Sequence, residues 1–144
     1  MLLRSEQQLA LNDLESLCME AADQYAAAAG KTTDVSLAAL FEEQGRHYDR
    51  LAKELAVHIR ALDDLPQSPD PDREAVDSLV SSIKAFFSND ERLPLIDERH
   101  AAEQAIAQAA RAALQLELPA ATIAVVQRIL SHAENAQFRL DAVR

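Results

Sequence analysis

Two i, i+3 pairs of polar side chains interrupt otherwise apolar helical stripes: Gln44 with His47, and Glu134 with Gln137. Three residues along an α-helix is close to one turn, so each pair offers two donor groups to nearly the same point. Imidazole and carboxylate at that spacing suit iron or manganese, which take oxygen and nitrogen ligands and gain from anionic carboxylates. Such a set could hold a metal ion. His100 precedes Glu103 at the same spacing and could form an accessory cation site, although a half-exposed pair on a helix face is the more ordinary use of these residues.

The amides point the other way. Gln44 and Gln137 are neutral, poor metal donors, whereas in a metal-free core they can donate hydrogen bonds to Glu103 and Glu134. That avoids the repulsion of several carboxylates packed around an empty cavity. His47 then becomes an interior imidazole bonded to a carboxylate. His132, two residues from Glu134, cannot face the same point and belongs on the flank, and His58 belongs at the edge of the second helix's seam. Tyr25 reads as a core aromatic with a satisfied hydroxyl. Cys18 reads as a small buried hydrophobe, since no basic neighbour in the sequence would make its thiol reactive. No nucleophile elbow, glycine-rich phosphate loop, zinc knuckle or His-Glu-x-x-His motif occurs, so hydrolase, kinase and dehydrogenase readings lack a starting residue.

With 144 residues, 49% of them apolar, the chain suits one domain able to bury a full core. A net charge of -10, with no offsetting block of Lys or Arg, repels phosphate backbones and argues against nucleic-acid binding. No uncharged apolar run is long enough to span a bilayer. The single cysteine cannot form an internal disulfide, and Met-Leu-Leu-Arg-Ser-Glu-Gln-Gln lacks the apolar core of a signal peptide, so a cytoplasmic protein is expected.

The composition is that of long helices: two glycines, abundant alanine and leucine, and prolines confined to 65–94 and Pro119. A first helix over about 5–29 carries Leu11, Leu14, Cys18, Ala21, Tyr25 and Ala28 on one stripe, with Gly30 as its left-handed stop. Thr33 or Asp34 caps a second, whose seam is Leu37, Phe41, Gln44, Tyr48, Leu51, Leu55 and Leu62. Residues 63–71 form a loop, a short helix covers 72–87, a third long helix runs to about Leu116, and Pro119 opens the last. In that last helix Ile123, Val126, Leu130 and Ala133 keep a helical period. These elements predict an all-α bundle: two antiparallel hairpins joined by a crossover over about 63–91 that contains the short helix, in one domain over 1–144. Val80, Ile83 and Phe87 could supply an apolar patch for pairing, and a homodimer is the expected assembly.

Leu11-Asn-Asp-Leu14 through Tyr25-Ala-Ala-Ala-Ala, then Leu40-Phe41 to Leu55, resembles the opening of small bacterial ferritin-like proteins of unassigned function. Leu79-Val-Ser-Ser-Ile-Lys-Ala-Phe-Phe-Ser-Asn-Asp-Glu, followed by Glu103 and Ala113-Leu114, is similar to the same family, and Gln44 to Leu55 also resembles bacterioferritin. The resemblance implies a ferritin-like four-helix bundle. In that superfamily a di-iron centre takes one Glu from each of two helices and a Glu-x-x-His pair from each of the other two. Carried over, the ligand positions are Cys18, Gln44, His47, Glu103, Glu134 and Gln137, of which only His47, Glu103 and Glu134 keep a metal-competent type. The implied function is a bundle with a degenerate di-metal site and no bound cofactor, acting as a non-catalytic interaction or stress-associated protein with an unidentified protein partner. The alternative is a divergent Fe- or Mn-binding protein that handles oxidants or stores iron.

Overall fold

The computed structural model of the chain describes residues 5–62 and 92–144. They form four α-helices and no strand: α1 (Glu6–Lys31), α2 (Val35–Ala61), α3 (Arg92–Leu114) and α4 (Ala120–Val143). The expected short helix, the crossover and the patch of Val80, Ile83 and Phe87 lie outside the described residues.

Helix α1 starts in a reciprocal capping box. The Ser5 hydroxyl accepts from the Gln8 amide at 3.1 Å, and the Gln8 side chain accepts from the Ser5 amide at 2.9 Å. Gly30 does not end it. The helix continues to Lys31, Gly30 has no left-handed backbone, and Thr32 takes an extended conformation that breaks the run. Two consecutive threonines disfavour helix, and the Thr32 hydroxyl accepts from the Asp34 amide, so the turn is made after the glycine. Asp34 then caps α2 by accepting from the Leu37 amide at 3.1 Å, and its other oxygen takes the Arg92 guanidinium at 3.2 Å. The Leu37 amide, then Arg92, holds the Asp34 carboxyl below its ordinary range.

Helix α3 stops at Leu114 and a turn continues to Leu116, where the Leu116 amide reaches the Ala113 carbonyl. Pro119, with ψ of 147°, stands just ahead of α4 and not at its first helical position.

Each helix packs on two others: α1 on α2 and α3, and α4 on α2 and α3, with no packing across either diagonal. The expected α1 stripe is buried intact. On α2, Ile59 is buried where Leu62 was expected to continue the seam; Leu62 is only half-buried and ends the helix. The buried aromatic side chains, Tyr25, Phe41 and Tyr48, all come from α1 and α2, whereas α3 and α4 bury Ile96, Ile106, Ile129 and Leu140 together with alanines such as Ala107, Ala110 and Ala133.

Gly45 is required where α1 meets α2. A Cβ there would stand 3.2 Å from both the Ala22 carbonyl oxygen and the Tyr25 Cβ, and the first of these is backbone that cannot swing away. Gly45→Val is therefore expected to separate the two helices and cost about 2 kcal/mol in chemical denaturation. A variant as stable as the parent would show that α1 shifts freely.

Candidate functional site

The core's polar centre is a single carboxylate held by two phenols. Glu103 on α3 is fully buried. The Tyr25 hydroxyl donates to its Oε2 at 2.5 Å, and the Tyr48 hydroxyl donates to its Oε1. The two rings are close to parallel, 11° apart with centroids at 6.3 Å, so both hydroxyls reach one acceptor from neighbouring helices. Phe41 packs on Tyr25 at 5.7 Å. Burial pushes the Glu103 carboxyl up to about 7, against the opposing effect of the two phenol hydrogen bonds and the Arg99 charge. Both phenols are pushed far above their ordinary value, first by burial and then by the Glu103 charge, so they remain donors at every relevant pH.

Arg99 lies one turn before Glu103 and is also buried. Its guanidinium sits 5.3 Å from the centroid of the Tyr25 ring, donates to the Gln24 side chain, and stands 3.6 Å from Glu98. Cys18 completes this part of α1 as a fully buried free thiol. Burial, then the negative charges of Glu103 and Glu15, pushes that thiol up, which disfavours a free thiolate nucleophile.

The structure does not bring the six expected ligand positions to one point. Glu103 is interior, but Glu134 is exposed on α4 and pairs with Arg111 at 3.5 Å. Gln137 bonds back to the Ala133 carbonyl of its own helix and not to a carboxylate. Gln44 is buried as expected, yet neither atom of its amide has a hydrogen-bond partner, so it is not the donor to Glu103. His47 is half-buried and stacks face to face on His132, with centroids 3.9 Å apart and rings within 4° of parallel. His100 pairs with Asp141 at 3.4 Å and is not joined to Glu103. Among the described residues no three His, Cys, Asp or Glu side chains are grouped to hold a metal.

The displacement of Glu134 and Gln137 has a physical cause. The buried face of α4 is Thr122, Val125, Val126, Ile129, Ala133, Ala136 and Leu140. That face keeps Val126 and Ala133 of the expected stripe but is centred roughly 70° away from it, so Ile123 and Leu130 move to its edge. Ala136 consequently occupies the interior position, and Glu134 and Gln137 turn toward the flank.

A di-metal centre needs several free carboxylate oxygens converging in the interior. Among the described residues the interior offers two carboxylates, Glu103, both of whose oxygens already accept hydrogen bonds, and Glu15 on α1, and no three potential ligands are grouped there. The donor set around Glu103 therefore does not fit such a centre. What this arrangement can do is hold one proton or one charge in a dry core.

Sequence reasoning missed Arg99 and the role of Tyr48. Arg99 was visible in spacing, since Ile96, Arg99, Glu103, Ile106 and Ala110 follow one another at intervals of three and four. An arginine and a glutamate on an apolar face must find buried partners.

No helix among the described residues is long and apolar enough to cross a membrane. A family model described as a domain of unknown function, DUF2383, matches residues 7–116. That span holds Tyr25, Tyr48, Arg99 and Glu103 and ends before α4. No curated protein and no solved structure matches the chain.

Proposed function

The chain belongs to the DUF2383 family, and from that premise we infer that it is a ferritin-like bundle whose interior has exchanged a di-metal centre for a tyrosine-clamped carboxylate. Its role is that of a non-catalytic interaction or stress-associated protein. The observation that carries this reading is the occupation of both Glu103 oxygens by the Tyr25 and Tyr48 hydroxyls. In a carboxylate-bridged centre those oxygens would face cations; here two phenolic protons take that place. The ferritin-like topology, two hairpins and a crossover, is supported by contacts at opposite ends. The Gln8 side chain donates to the Leu62 carbonyl where α2 finishes, whereas Arg92, the first residue of α3, pairs with the Asp34 cap where α2 begins. The end of α2 and the start of α3 thus lie at opposite ends of the bundle. Self-association as a homodimer, and a protein partner, belong to the same reading.

The test is anaerobic titration of the full-length protein, purified without chelator, with Fe(II) and Mn(II) while metal content and melting temperature are followed. The expected result is no two-metal stoichiometry and no metal-dependent rise in melting temperature. Two ions per chain, with a stabilisation abolished by Glu103→Gln, would overturn the reading and establish a divergent iron- or manganese-handling protein.

A further inference from the structure

Helix α2 buries Phe41, Gln44, Tyr48, Leu51 and Leu55. On its opposite side Val35, Glu42, Arg46, Asp49, Lys53 and Val57 recur at helical spacing, and all are exposed. Val35 at 82% and Val57 at 56% are large apolar groups left in solvent at the two ends of this stripe. Its middle alternates in charge: minus at Glu42, plus at Arg46, minus at Asp49, plus at Lys53. Lys53 reaches Asp49 at 2.9 Å, while neither Glu42 nor Arg46 forms an ion pair among the described residues. An exposed pair within one helix contributes little to folding, so the fold alone leaves the alternation without a use.

The alternation is antisymmetric about the peptide between His47 and Tyr48. Glu42 and Lys53 are equally far from it, as are Arg46 and Asp49, and each couple is opposite in sign. A two-fold axis at that point would run α2 antiparallel to the α2 of a second copy and set each charge against its opposite, because in such a contact residue i meets j and j meets i. The register is selective. Sliding the copies by one turn sets Arg46 against Lys53 in one direction and Glu42 against Asp49 in the other, and both are repulsive.

We propose that this stripe is the self-association surface of the protein, an isologous antiparallel contact between the α2 helices of two copies. It rests on the self-association in the reading above and gives it a place. Arg46 pairs with the partner's Asp49 and Glu42 with the partner's Lys53, and each pair occurs twice. Asp49 and Lys53, already joined, thereby become the middle of a four-charge network, which contributes more than isolated exposed pairs do. In the same register Val57 lies against the partner's Ala39, and Val35 against the aliphatic stem of the partner's Arg60, so both valines leave water. Beside the stripe α1 and α2 leave a hollow of about 460 Å³, lined by Ala22, Ala26 and Gly45 among others, that gives the incoming side chains room. The net charge of -10 on each copy opposes association at long range, so the contact is a reversible one.

The experiment is sedimentation velocity on the full-length protein over a wide concentration range. The parent is expected to show a monomer–dimer equilibrium. Arg46→Glu and Asp49→Arg should each weaken it at least about tenfold, since like charges then face one another twice. An equimolar mixture of these two variants should recover the dimer, because each presents the charge that the other lacks. Asp13→Arg, the same change of charge on α1, should not weaken it. Circular dichroism checks each fold, and Glu42→Lys with Lys53→Glu provides the same complementary couple should either variant fail to fold. A parent that is monomeric at every concentration would overturn the surface together with the self-association, and leave the stripe to a different protein. A dimer that both reversals leave intact would overturn the surface alone and place self-association elsewhere on the chain. Losses that mixing does not recover, or an equal loss with Asp13→Arg, would show that these charges do not face one another, which overturns it as well.

Discussion

Glu103→Leu is expected to destabilise the protein by about 3–5 kcal/mol, whereas adding Tyr25→Phe and Tyr48→Phe to it should restore most of that loss. The single substitution removes the acceptor of two buried phenols, and an unsatisfied buried donor costs about 1–3 kcal/mol each. It also removes the carboxylate one turn from the buried Arg99, leaving that cation to Gln24, Glu98 and the Tyr25 ring. The triple variant removes donors and acceptor together, and replacing a whole buried polar cluster by apolar groups of similar volume is often close to neutral. Denaturant titration of the single and triple variants gives the comparison directly. A Glu103→Leu protein within about 1 kcal/mol of the parent would mean that the clamp is not the organising feature of the core. A triple variant no better than the single would mean that Glu103 has partners other than the two tyrosines.

Much of the helical layout is legible in the sequence, because heptad-like apolar spacing is a strong and redundant signal. The stripe Leu11, Leu14, Cys18, Ala21, Tyr25, Ala28 is buried as read, and Asp34 caps α2. Legibility fails where alanine is dense. In α4 Ala121, Ala124, Ala133 and Ala136 fit either face, so its phase rests on a few branched residues, and Thr122 sits on the buried side against expectation. A phase error of roughly 70° is enough to carry Glu134 and Gln137 from the interior to the flank, so the six positions do not converge. Gly30 fails for another reason: a glycine near a helix end permits a stop without imposing one, and Thr32 imposes it two residues later.

Gln44 is buried, as its place in the α2 seam predicts, but its type does not reveal which groups meet Glu103. Those groups are Tyr25 and Tyr48, which share an acceptor 78 and 55 residues away in sequence. No local pattern links groups that distant. His47 and His132 meet for the same reason, through the antiparallel register of α2 and α4. Each of the three metal-competent positions thus has a structural partner of a different kind: phenols for Glu103, an imidazole for His47, a guanidinium for Glu134.

Between pH 4.5 and 6.5 the parent protein is expected to show a nearly flat stability profile that hides two opposed linkages. Glu103 is raised from 4.5 to about 7 in the fold, so the native state holds the extra proton and stability declines as pH rises through this window. His132 is lowered from 6.5 to about 4, mainly by burial, so the unfolded chain holds the extra proton and stability increases with pH over the same range. Glu15, raised by burial, adds to the first trend, and His47, lowered by burial, adds to the second. At about 1.4 kcal/mol per pH unit, each main contribution amounts to about 2–3 kcal/mol across the window. The lowered carboxyls of Asp34, Glu43 and Glu54 withdraw their support only at more acidic pH. Glu103→Gln, which keeps a neutral group beside the phenols, should therefore expose a rising profile, and His132→Gln should expose a falling one. Denaturation midpoints measured at half-unit steps of pH decide the matter. Slopes of the same sign in the two variants, or flat profiles in both, would show that neither group titrates in the fold as its surroundings dictate.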